Sequence, residues 1–283
     1  MKKVFILLCL ILGAQAFCQD SIKLEYKFVP GELLRYKMVM NATLQLDVPS
    51  TGKSLSIPVA MAAVVRQRTK RVLPDGNAEI AVAFESIRVQ MGDQVRELPA
   101  KEIPVATLVM SRSGRVKNLN IPTVDSAQFM GGRMCPVGGF GDYVALPEAV
   151  VQVGDSWSQN LPEVPGLGTI RGTGKLISAN SKVGKYKAAV VKQSIGGDLN
   201  MDMPLALSAQ GGSAVPPGMK VNGAFLGDGT IYFSAERGRL IRTDGRVDMQ
   251  VNVNVPQIAG RDIGNAAATM AMTYEMYLLS AGK

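Results

Sequence analysis

The sequence predicts a mainly β protein built from long antiparallel strands. Three observations support this prediction: apolar and polar residues alternate over long stretches, turn-forming Gly, Asp and Asn residues separate the stretches, and helical periodicity is scarce. We expect a strongly curved sheet or an open barrel built from two related halves, with one or two short helices. With 47% hydrophobic and 19% charged residues the chain can bury a core, which excludes a disordered or coiled-coil protein.

The alternation is clearest in the first third of the chain. Residues 36–48 and 55–65 each place apolar side chains on one face and polar side chains on the other, which is typical of half-buried strands. A tight turn is predicted at residues 74–77, where Asp-Gly favours a hairpin. On the return strand the apolar residues change parity beyond Glu85, and an inserted residue in a β-bulge would explain that change.

The second half shows the same alternation. Residues 175–191 predict a hairpin whose turn lies at residues 182–185. The best helix lies at residues 124–130, which have capping-box spacing, and a loop rich in Gly, Ser and Pro is predicted at residues 204–218. The remaining predictions are strands at residues 230–233, 240–242, 247–255 and 270–278, with a turn at Asp244 and Gly245.

The first residues of the chain predict a secretory signal peptide. Lys2 and Lys3 precede a short apolar stretch, and Ala14 and Ala16 form a small-residue cleavage site. We expect cleavage after Ala16, and no later segment is apolar for the roughly 20 residues that a membrane-spanning helix needs. Loss of the two lysines leaves 29 basic and 23 acidic residues, a net charge of +6.

Two cysteines remain after the predicted signal peptide, Cys18 and Cys135, and they could form one disulfide. Cys18 is also a candidate for N-terminal lipidation. Bacterial lipidation sites have an aliphatic residue three positions before the cysteine and a small residue directly before it, but Gln15 and Phe17 occupy those positions. The sequence therefore favours a soluble exported protein over a lipoprotein.

Three glycine turns recur in the second half of the chain, which suggests an internal duplication. The pairs are Gly31 with Gly154, Gly76 with Gly184, and Gly114 with Gly238, at offsets of 123, 108 and 124 residues. The predicted organisation is a signal peptide at 1–16, a first β half at 17–120, a connecting segment with a short helix at 121–146, and a second β half at 147–283. We expect the part beyond the signal peptide to form one continuous domain.

Several kinds of active site are excluded because the chain contains no histidine. Ser-His-Asp and Cys-His catalysis and histidine-containing metal sites cannot be built from this chain alone. Asp198, Asn200 and Asp202 have the spacing that opens a calcium loop, but Met203 stands where that loop needs glycine, so a solvated strand face is the preferred interpretation. We predict no catalytic residue, no metal-binding residue and no cofactor.

Two further patterns have both a structural and a functional interpretation. Arg66, Arg68 and Lys70, with Arg71 beside them, place cations on one strand face, which is typical of a solvated face and could also meet lipid phosphate. Three methionine pairs at i, i+2 spacing could bind Cu(I) or simply fill the core. The pairs are Met38 with Met40, Met201 with Met203, and Met270 with Met272. The single tryptophan, Trp157, is expected to be buried.

The segment LPEAVVQVGDSW at residues 146–157, with FVPGE at residues 28–32 and the stretch 227–240, resembles a broad family of exported bacterial β-rich proteins whose function is not established. The resemblance covers most of the chain beyond the signal peptide. It implies a β-rich fold in the style of the curved open-barrel carriers of the bacterial envelope. It implies no catalytic residues, because none are established for the family.

Together these observations predict a non-catalytic binding or carrier module of the cell envelope, periplasmic or extracellular. Its concave apolar face would hold a hydrophobic ligand or an envelope component, and no nucleic-acid partner is expected because the positive charge is small and dispersed. The sequence singles out no ligand-binding residue. The alternatives are a structural envelope protein, a periplasmic Cu(I)-binding protein, and a hydrolase in which two of the 23 acidic residues converge.

Overall fold

The computed structural model describes most of the chain after residue 20. The described residues are 21–48, 53–98, 105–120, 145–160, 167–203, 219–255 and 264–282. The predicted signal peptide with Ala14 and Ala16, both remaining cysteines, the helix at 124–130 and the loop at 204–218 lie outside them, so these predictions stay untested.

The described residues form antiparallel strands and contain no helix. Alternation of apolar and polar residues generates the strands, and Gly-containing turns end several of them. The strands are β1 (Ser21–Ile22), β2 (Leu33–Val48), β3 (Lys53–Val72), β4 (Ala78–Met91), β5 (Gln94–Leu98), β6 (Ala106–Met110), β7 (Val116–Asn120), β8 (Val151–Gln152), β9 (Ser156–Asn160), β10 (Leu167–Val183), β11 (Tyr186–Met203), β12 (Met219–Ser234), β13 (Arg239–Val255) and β14 (Gly264–Gly282).

One large, open and curved antiparallel sheet contains all these strands except β1 and β8. Its order is β7-β6-β4-β3-β2-β14-β13-β12-β11-β10-β9, and β5 also pairs with β4. Strands β2 to β7 therefore form one half and β9 to β14 form the other. The pairing of β2 with β14 joins the two halves, and the short β1–β8 pair forms a separate sheet.

The structure confirms the predicted β-bulge in β4. Val64 pairs with Ser86 and the next residue, Val65, pairs with Phe84, so Glu85 is the inserted residue. The insertion keeps Phe84 and Ile87 on the same buried side of the sheet. It also directs the Glu85 carboxylate to Arg35, whose guanidinium donates hydrogen bonds of 2.5–3.1 Å to it.

The predicted turn at Asp244 and Gly245 is wrong. β13 runs through both residues, and Gly245 pairs with Gly229 on one side and Tyr274 on the other. A Cβ atom at Gly245 would lie 2.5 Å from the carbonyl oxygen of Asp228 and 2.7 Å from the Tyr274 hydroxyl oxygen. Glycine is needed there for a close approach to neighbouring strands rather than for a turn.

The turns that begin the two halves share one backbone hydrogen-bond pattern. Gly31 N donates to Thr69 O at 2.8 Å and Thr69 N donates to Glu32 O at 3.0 Å. In the second half Gly154 N donates to Leu176 O at 2.8 Å and Leu176 N donates to Asp155 O at 2.9 Å. Both glycines have positive φ, 81° and 99°. This agreement supports the interpretation that the two halves are related.

Candidate hydrophobic ligand site

One side of the large sheet, here called the apolar face, carries apolar side chains in continuous rows across the strands. Residues that lie opposite one another on neighbouring strands point to the same side of a sheet, so each row can be followed through the pairing register. Followed from β10 to β4, one row is Gly172, Ile195, Gly227, Val247, Met272, Ala42, Val59 and Met91.

At one end of the apolar face the chain packs its own aromatic residues over the sheet. This closed end is defined by Leu24 and Tyr26, which lie between β1 and β2, and by Phe233 and Leu240 beneath them. Leu24 and Phe233 are fully buried, and the rings of Tyr26 and Phe233 meet edge to face with centroids 5.1 Å apart. Phe28 stacks on Tyr26 at 6.1 Å. These contacts fill the closed end with a protein core.

At the other end, on β2, β3 and β4, the same face keeps apolar groups accessible. This open end is defined by Leu44, Leu46, Leu55, Ile57 and Met91. Leu55 is 53% exposed and Met91 is 36% exposed, and the other three side chains are half-buried. Cross-strand neighbours within one face normally bury one another, so accessible apolar groups in register form a surface that can accept a ligand.

Glycines make the apolar face concave at β12. The Cα atoms of β11 and β13 approach within 8 Å across β12, whereas in a flat sheet two strands separated by a third lie about 9.5 Å apart. Gly223 lies on the apolar face, and a Cβ atom there would overlap the carbonyl oxygen of Gln250 on β13. The absence of a side chain at Gly223 therefore lets the sheet bend toward its apolar side.

Methionines are concentrated on this face. Three pairs lie directly opposite one another on neighbouring strands: Met38 with Met276, Met40 with Met61, and Met249 with Met270. Met276 is fully buried, whereas Met40, Met249 and Met270 are half-buried. Unbranched thioether side chains adapt to ligands of irregular shape, so they suit a surface that binds flexible apolar chains.

The methionine positions favour apolar packing over copper binding. Met38, Met40, Met270 and Met272 all belong to apolar rows, and their neighbours are apolar or aromatic side chains such as Tyr274. The described part of the apolar face places no carboxylate or thiolate beside them to offset the charge of Cu(I). The side chains of Met201 and Met203 lie outside the description, so copper binding at that pair stays a prediction.

A short row of polar and aromatic residues crosses the apolar face in the second half. Through the pairing register this row is Trp157, Gly174, Gln193, Gly229, Gly245 and Tyr274, and it is called the glycine row here. The Trp157 ring lies over Gly174, with ring carbon Cε2 2.5 Å from the position of a Cβ atom. From the other side, the Tyr274 hydroxyl lies over Gly245 and Gly229.

Tyr274 presents a neutral phenol to the apolar face. Burial raises the pKa of the phenol, a side-chain hydrogen bond with Thr243 opposes this change, and the nearby Asp244 and Asp228 carboxylates raise the pKa further. The net effect is an upward shift, so Tyr274 stays protonated at neutral pH. A protonated phenol can donate a hydrogen bond as well as accept one.

Trp157 is half-buried rather than fully buried as predicted. Its ring packs against the closed-end core while its indole N–H donates a long hydrogen bond of 3.4 Å to Ala145 O. The ring reaches over Gly174 because that position has no side chain. The position of β9 at the sheet edge explains the remaining exposure.

The opposite side, here called the polar face, carries the charged residues. In the predicted cationic stripe, Lys70 and Arg71 both bind Glu79, at 3.1 and 2.7 Å. Arg66 and Arg68 are exposed on the same face of β3, and no described carboxylate lies within 4.0 Å of either. The four cations are exposed, and ion pairs of exposed side chains contribute little to stability, so the stripe behaves mainly as a solvated strand face, although the Glu79 carboxylate itself is only 18% exposed.

The other predicted features are placed as follows. Asp198 and Asn200 are exposed on β11, which agrees with a solvated strand face. Among the described residues, Asp, Glu and Cys side chains form no group of three that could hold a metal ion. The described residues also include no helix with the length and apolar character needed to cross a membrane.

A small cavity of about 30 Å³ lies at the closed end, where the two halves meet. Its wall includes Glu32 from the first half and Arg239 from the second, which form a mostly buried ion pair at 2.8 Å. Gln67 and Thr69 add polar groups to the same wall. The space suits a few water molecules, and its wall carries a buried ion pair, so the cavity is a poor match for a hydrophobic ligand.

Sequence reasoning missed the glycine row. Gly245 was predicted in a turn, and Gly229 was considered only as part of the stretch 227–240, although the two residues lie within β13 and β12. The parity of the flanking residues offered a usable signal, because Phe225 and Ile231 alternate in step with Gly227 and Gly229. The convergence of Gln193 and Tyr274 had no signal in the sequence, because it depends on the register of four strands.

No family model matches the chain and no curated protein matches it, so the resemblance to exported bacterial β-rich proteins stays a prediction. Solved structures give distant likenesses. A structure of lipid–protein interactions in lipovitellin is 10% identical with a TM-score of 0.47, over 90% of this chain and 26% of that chain. DynF of the dynemicin biosynthesis pathway from Micromonospora chersina is 9% identical with a TM-score of 0.26, over 92% and 85%.

Pseudomonas aeruginosa OpdQ is 8% identical with a TM-score of 0.21, over 88% of this chain and 99% of that chain. The chain spans only about a quarter, 26%, of the length of the lipovitellin chain. At these TM-scores the likenesses carry no inference about function.

Proposed function

We propose that this chain is an exported, non-catalytic binding or carrier module of the bacterial cell envelope, and that its apolar face binds a hydrophobic ligand. The observation that carries the proposal is the contrast within that face. The closed end is filled by the chain's own Leu24 and Tyr26, whereas the open end leaves Leu55 53% exposed among half-buried neighbours. Burial of such a surface by an apolar ligand is favourable, at about 25 cal/mol per Å².

Two further observations support a carrier of flexible chains rather than a filled structural module. The bend at Gly223 makes the apolar face concave, which lets a ligand contact several strands at once. The opposed methionine pairs supply side chains that can adapt to a ligand. The export part of the proposal rests on the sequence features at residues 1–16.

The test uses a fluorescent apolar probe, N-phenyl-1-naphthylamine, and one pair of variants on β2. Leu44 lies on the apolar face opposite Met270, and its chain neighbour Gln45 is exposed on the polar face. We expect the wild type to bind the probe with increased emission. Leu44→Glu should lower the affinity at least about tenfold, because the charge must be desolvated. Gln45→Glu adds the same charge on the other side and should leave the affinity unchanged.

Circular dichroism of both variants establishes that the sheet is intact. Absence of probe binding by the folded wild type would overturn the proposal in favour of a structural envelope protein. Equal loss in the two variants would show that net charge, not the apolar face, governs the interaction, and would also overturn it.

A further inference from the structure

We propose that the glycine row is a polar subsite within the apolar face, and that it binds the neutral carbonyl group of an acyl ester or amide whose hydrocarbon chain lies along the face. This inference rests on the proposed function, because it names the class of ligand. It commits to an amphiphile with an uncharged hydrogen-bonding group and not to a pure hydrocarbon.

The first observation is the environment of Gln193. Its side chain is on the apolar face between Gly174 and Gly229, and it is 8% exposed. No described protein group hydrogen-bonds its side-chain amide. Its amide atoms are not among the fully buried polar atoms that lack a partner, so they keep contact with solvent and are accessible to a polar group of a ligand on this face. The amide can donate through nitrogen and accept through oxygen.

The second observation is the direction of Tyr274. Its Cα is three strands from that of Gln193, but its ring leans over Gly245 and its hydroxyl reaches Gly229, the residue directly opposite Gln193. Side chains at either glycine would prevent this approach, since a Cβ atom would lie 2.7 or 2.9 Å from the hydroxyl oxygen. The glycines therefore bring a phenol and a carboxamide to the same place on an apolar surface.

The third observation is the absence of charge. Beside the glycine row the described apolar face carries no Lys, Arg, Asp or Glu side chain: Arg96 of β5 lies four strands beyond Tyr274, opposite Val89, and the ion pair of Glu32 with Arg239 lies apart at the closed end. An anionic head group at the glycine row would have to be desolvated with no cation beside it, which is unfavourable. A carbonyl oxygen can instead accept hydrogen bonds from the Gln193 amide and the Tyr274 phenol without carrying a charge.

Aromatic rings lie over the glycine row on both sides of Gln193. Trp157 covers Gly174 on one side and Tyr274 covers Gly245 on the other, so Gln193 lies between them. Aromatic walls around a few fixed polar groups are typical of sites that orient an otherwise apolar ligand. The methionine pairs beside Tyr274, including Met40 with Met61, continue the face toward the open end. An acyl chain anchored at the row could extend in that direction.

The experiment compares methyl dodecanoate with an alkane of the same number of heavy atoms, each delivered from cyclodextrin, as competitors of N-phenyl-1-naphthylamine on the full chain. We expect the wild type to prefer the ester about tenfold, the effect of one or two neutral hydrogen bonds in a buried site. Gln193→Met and Tyr274→Phe keep the shape of each side chain and should each reduce the preference. The double variant should bind ester and alkane equally.

Tyr36→Phe is the matched control, because Tyr36 is a tyrosine of the same face whose hydroxyl binds Leu240 O at 3.3 Å, away from the glycine row. It should keep the ester preference. Trp157 is the single tryptophan, so its emission gives a second readout, and the ester should change it more than the alkane does.

Unchanged affinity of each variant for the alkane shows that the apolar face is intact. If Gln193→Met does not fold, Tyr274→Phe alone tests whether the glycine row binds the ester carbonyl. Equal binding of ester and alkane by the wild type would overturn the polar subsite while the proposed function stands. An ester preference that survives in both variants would also overturn it. Failure of both compounds to displace the probe would overturn the proposed function together with this inference.

Discussion

The two ends of the apolar face belong to one sheet and show the same alternation of residues, yet among the described residues only the closed end is filled by the chain's own side chains. At the closed end Leu24 and Phe233 are fully buried beneath a chain segment that returns over the sheet. At the open end Leu55 is 53% exposed and the side chains around it are half-buried. Period-two alternation thus determines which face is apolar, but not what covers that face.

Because the two ends differ in packing, we expect the closed end to contribute mainly to stability and the open end mainly to ligand binding. Side chains at the closed end pack against many protein groups, so their removal leaves a cavity that the structure cannot close. Removing a side chain at the open end lowers the free energy of unfolding by less, because that side chain already contacts solvent in the folded chain. Variants at the closed end should therefore change the free energy of unfolding, and variants at the open end should change ligand affinity.

The largest expected effect is at Phe233. Replacing this fully buried ring with alanine removes its edge-to-face contact with Tyr26 and leaves a cavity. Phe233→Ala should lower the free energy of unfolding by about 3–5 kcal/mol, measured by denaturant titration. Leu55→Ala, the matched change at the open end, should stay within about 0.5 kcal/mol. Similar losses in the two variants would show that both ends are equally packed.

The bend that shapes the open end should be sensitive to one methyl group. Gly223→Ala places a Cβ atom against the backbone of β13 and should cost about 1–3 kcal/mol by overpacking. The affinity for N-phenyl-1-naphthylamine should fall together with the stability, because the sheet must flatten to make room for the added Cβ atom. Gly282→Ala is the control, since no atom lies within 4 Å of a Cβ atom there. Unchanged stability and affinity in Gly223→Ala would contradict the role of the bend.

The smallest expected effect concerns the polar face near the closed end. Hydrogen bonds from Lys70 and Arg71 hold the pKa of the Glu79 carboxyl below its ordinary value. A carboxyl whose pKa is lower in the folded chain stabilises the fold above its unfolded pKa, and this contribution is lost as pH falls through the folded pKa. The wild type should therefore be slightly more stable than Glu79→Gln at neutral pH.

That difference should disappear in acid, where Glu79 is protonated, and shrink at high salt, because the side chains of Lys70 and Arg71 are exposed to solvent. Denaturant midpoints of both proteins across pH, at low and high ionic strength, provide the measurement. A difference that persists in acid would mean that Glu79 acts through packing and not through its charge. No comparable change is expected at Leu55, which carries no titratable group.

The sequence alone determined the strands, their faces and several turns. Alternation over residues 36–48 identified β2 and its apolar side, because a strand repeats every two residues whatever surrounds it. The parity change beyond Glu85 identified the bulge for the same reason. The hairpin at residues 74–77 followed from the local preference of Asp-Gly, and Gly76 has a φ of 79°. Each of these depends on residues close together in the chain.

Only the tertiary structure decided the remaining features, because they depend on residues far apart in the chain. The pairing of β2 with β14 joins the two ends of the sequence, and no local pattern specifies it. Gly245 was predicted in a turn because glycine has the same local signature in a turn and in a crowded strand, and only the positions of Asp228 and Tyr274 distinguish the two. Gln193 and Tyr274 share a surface for the same reason, since the register of the strands between them brings together side chains that are 81 residues apart.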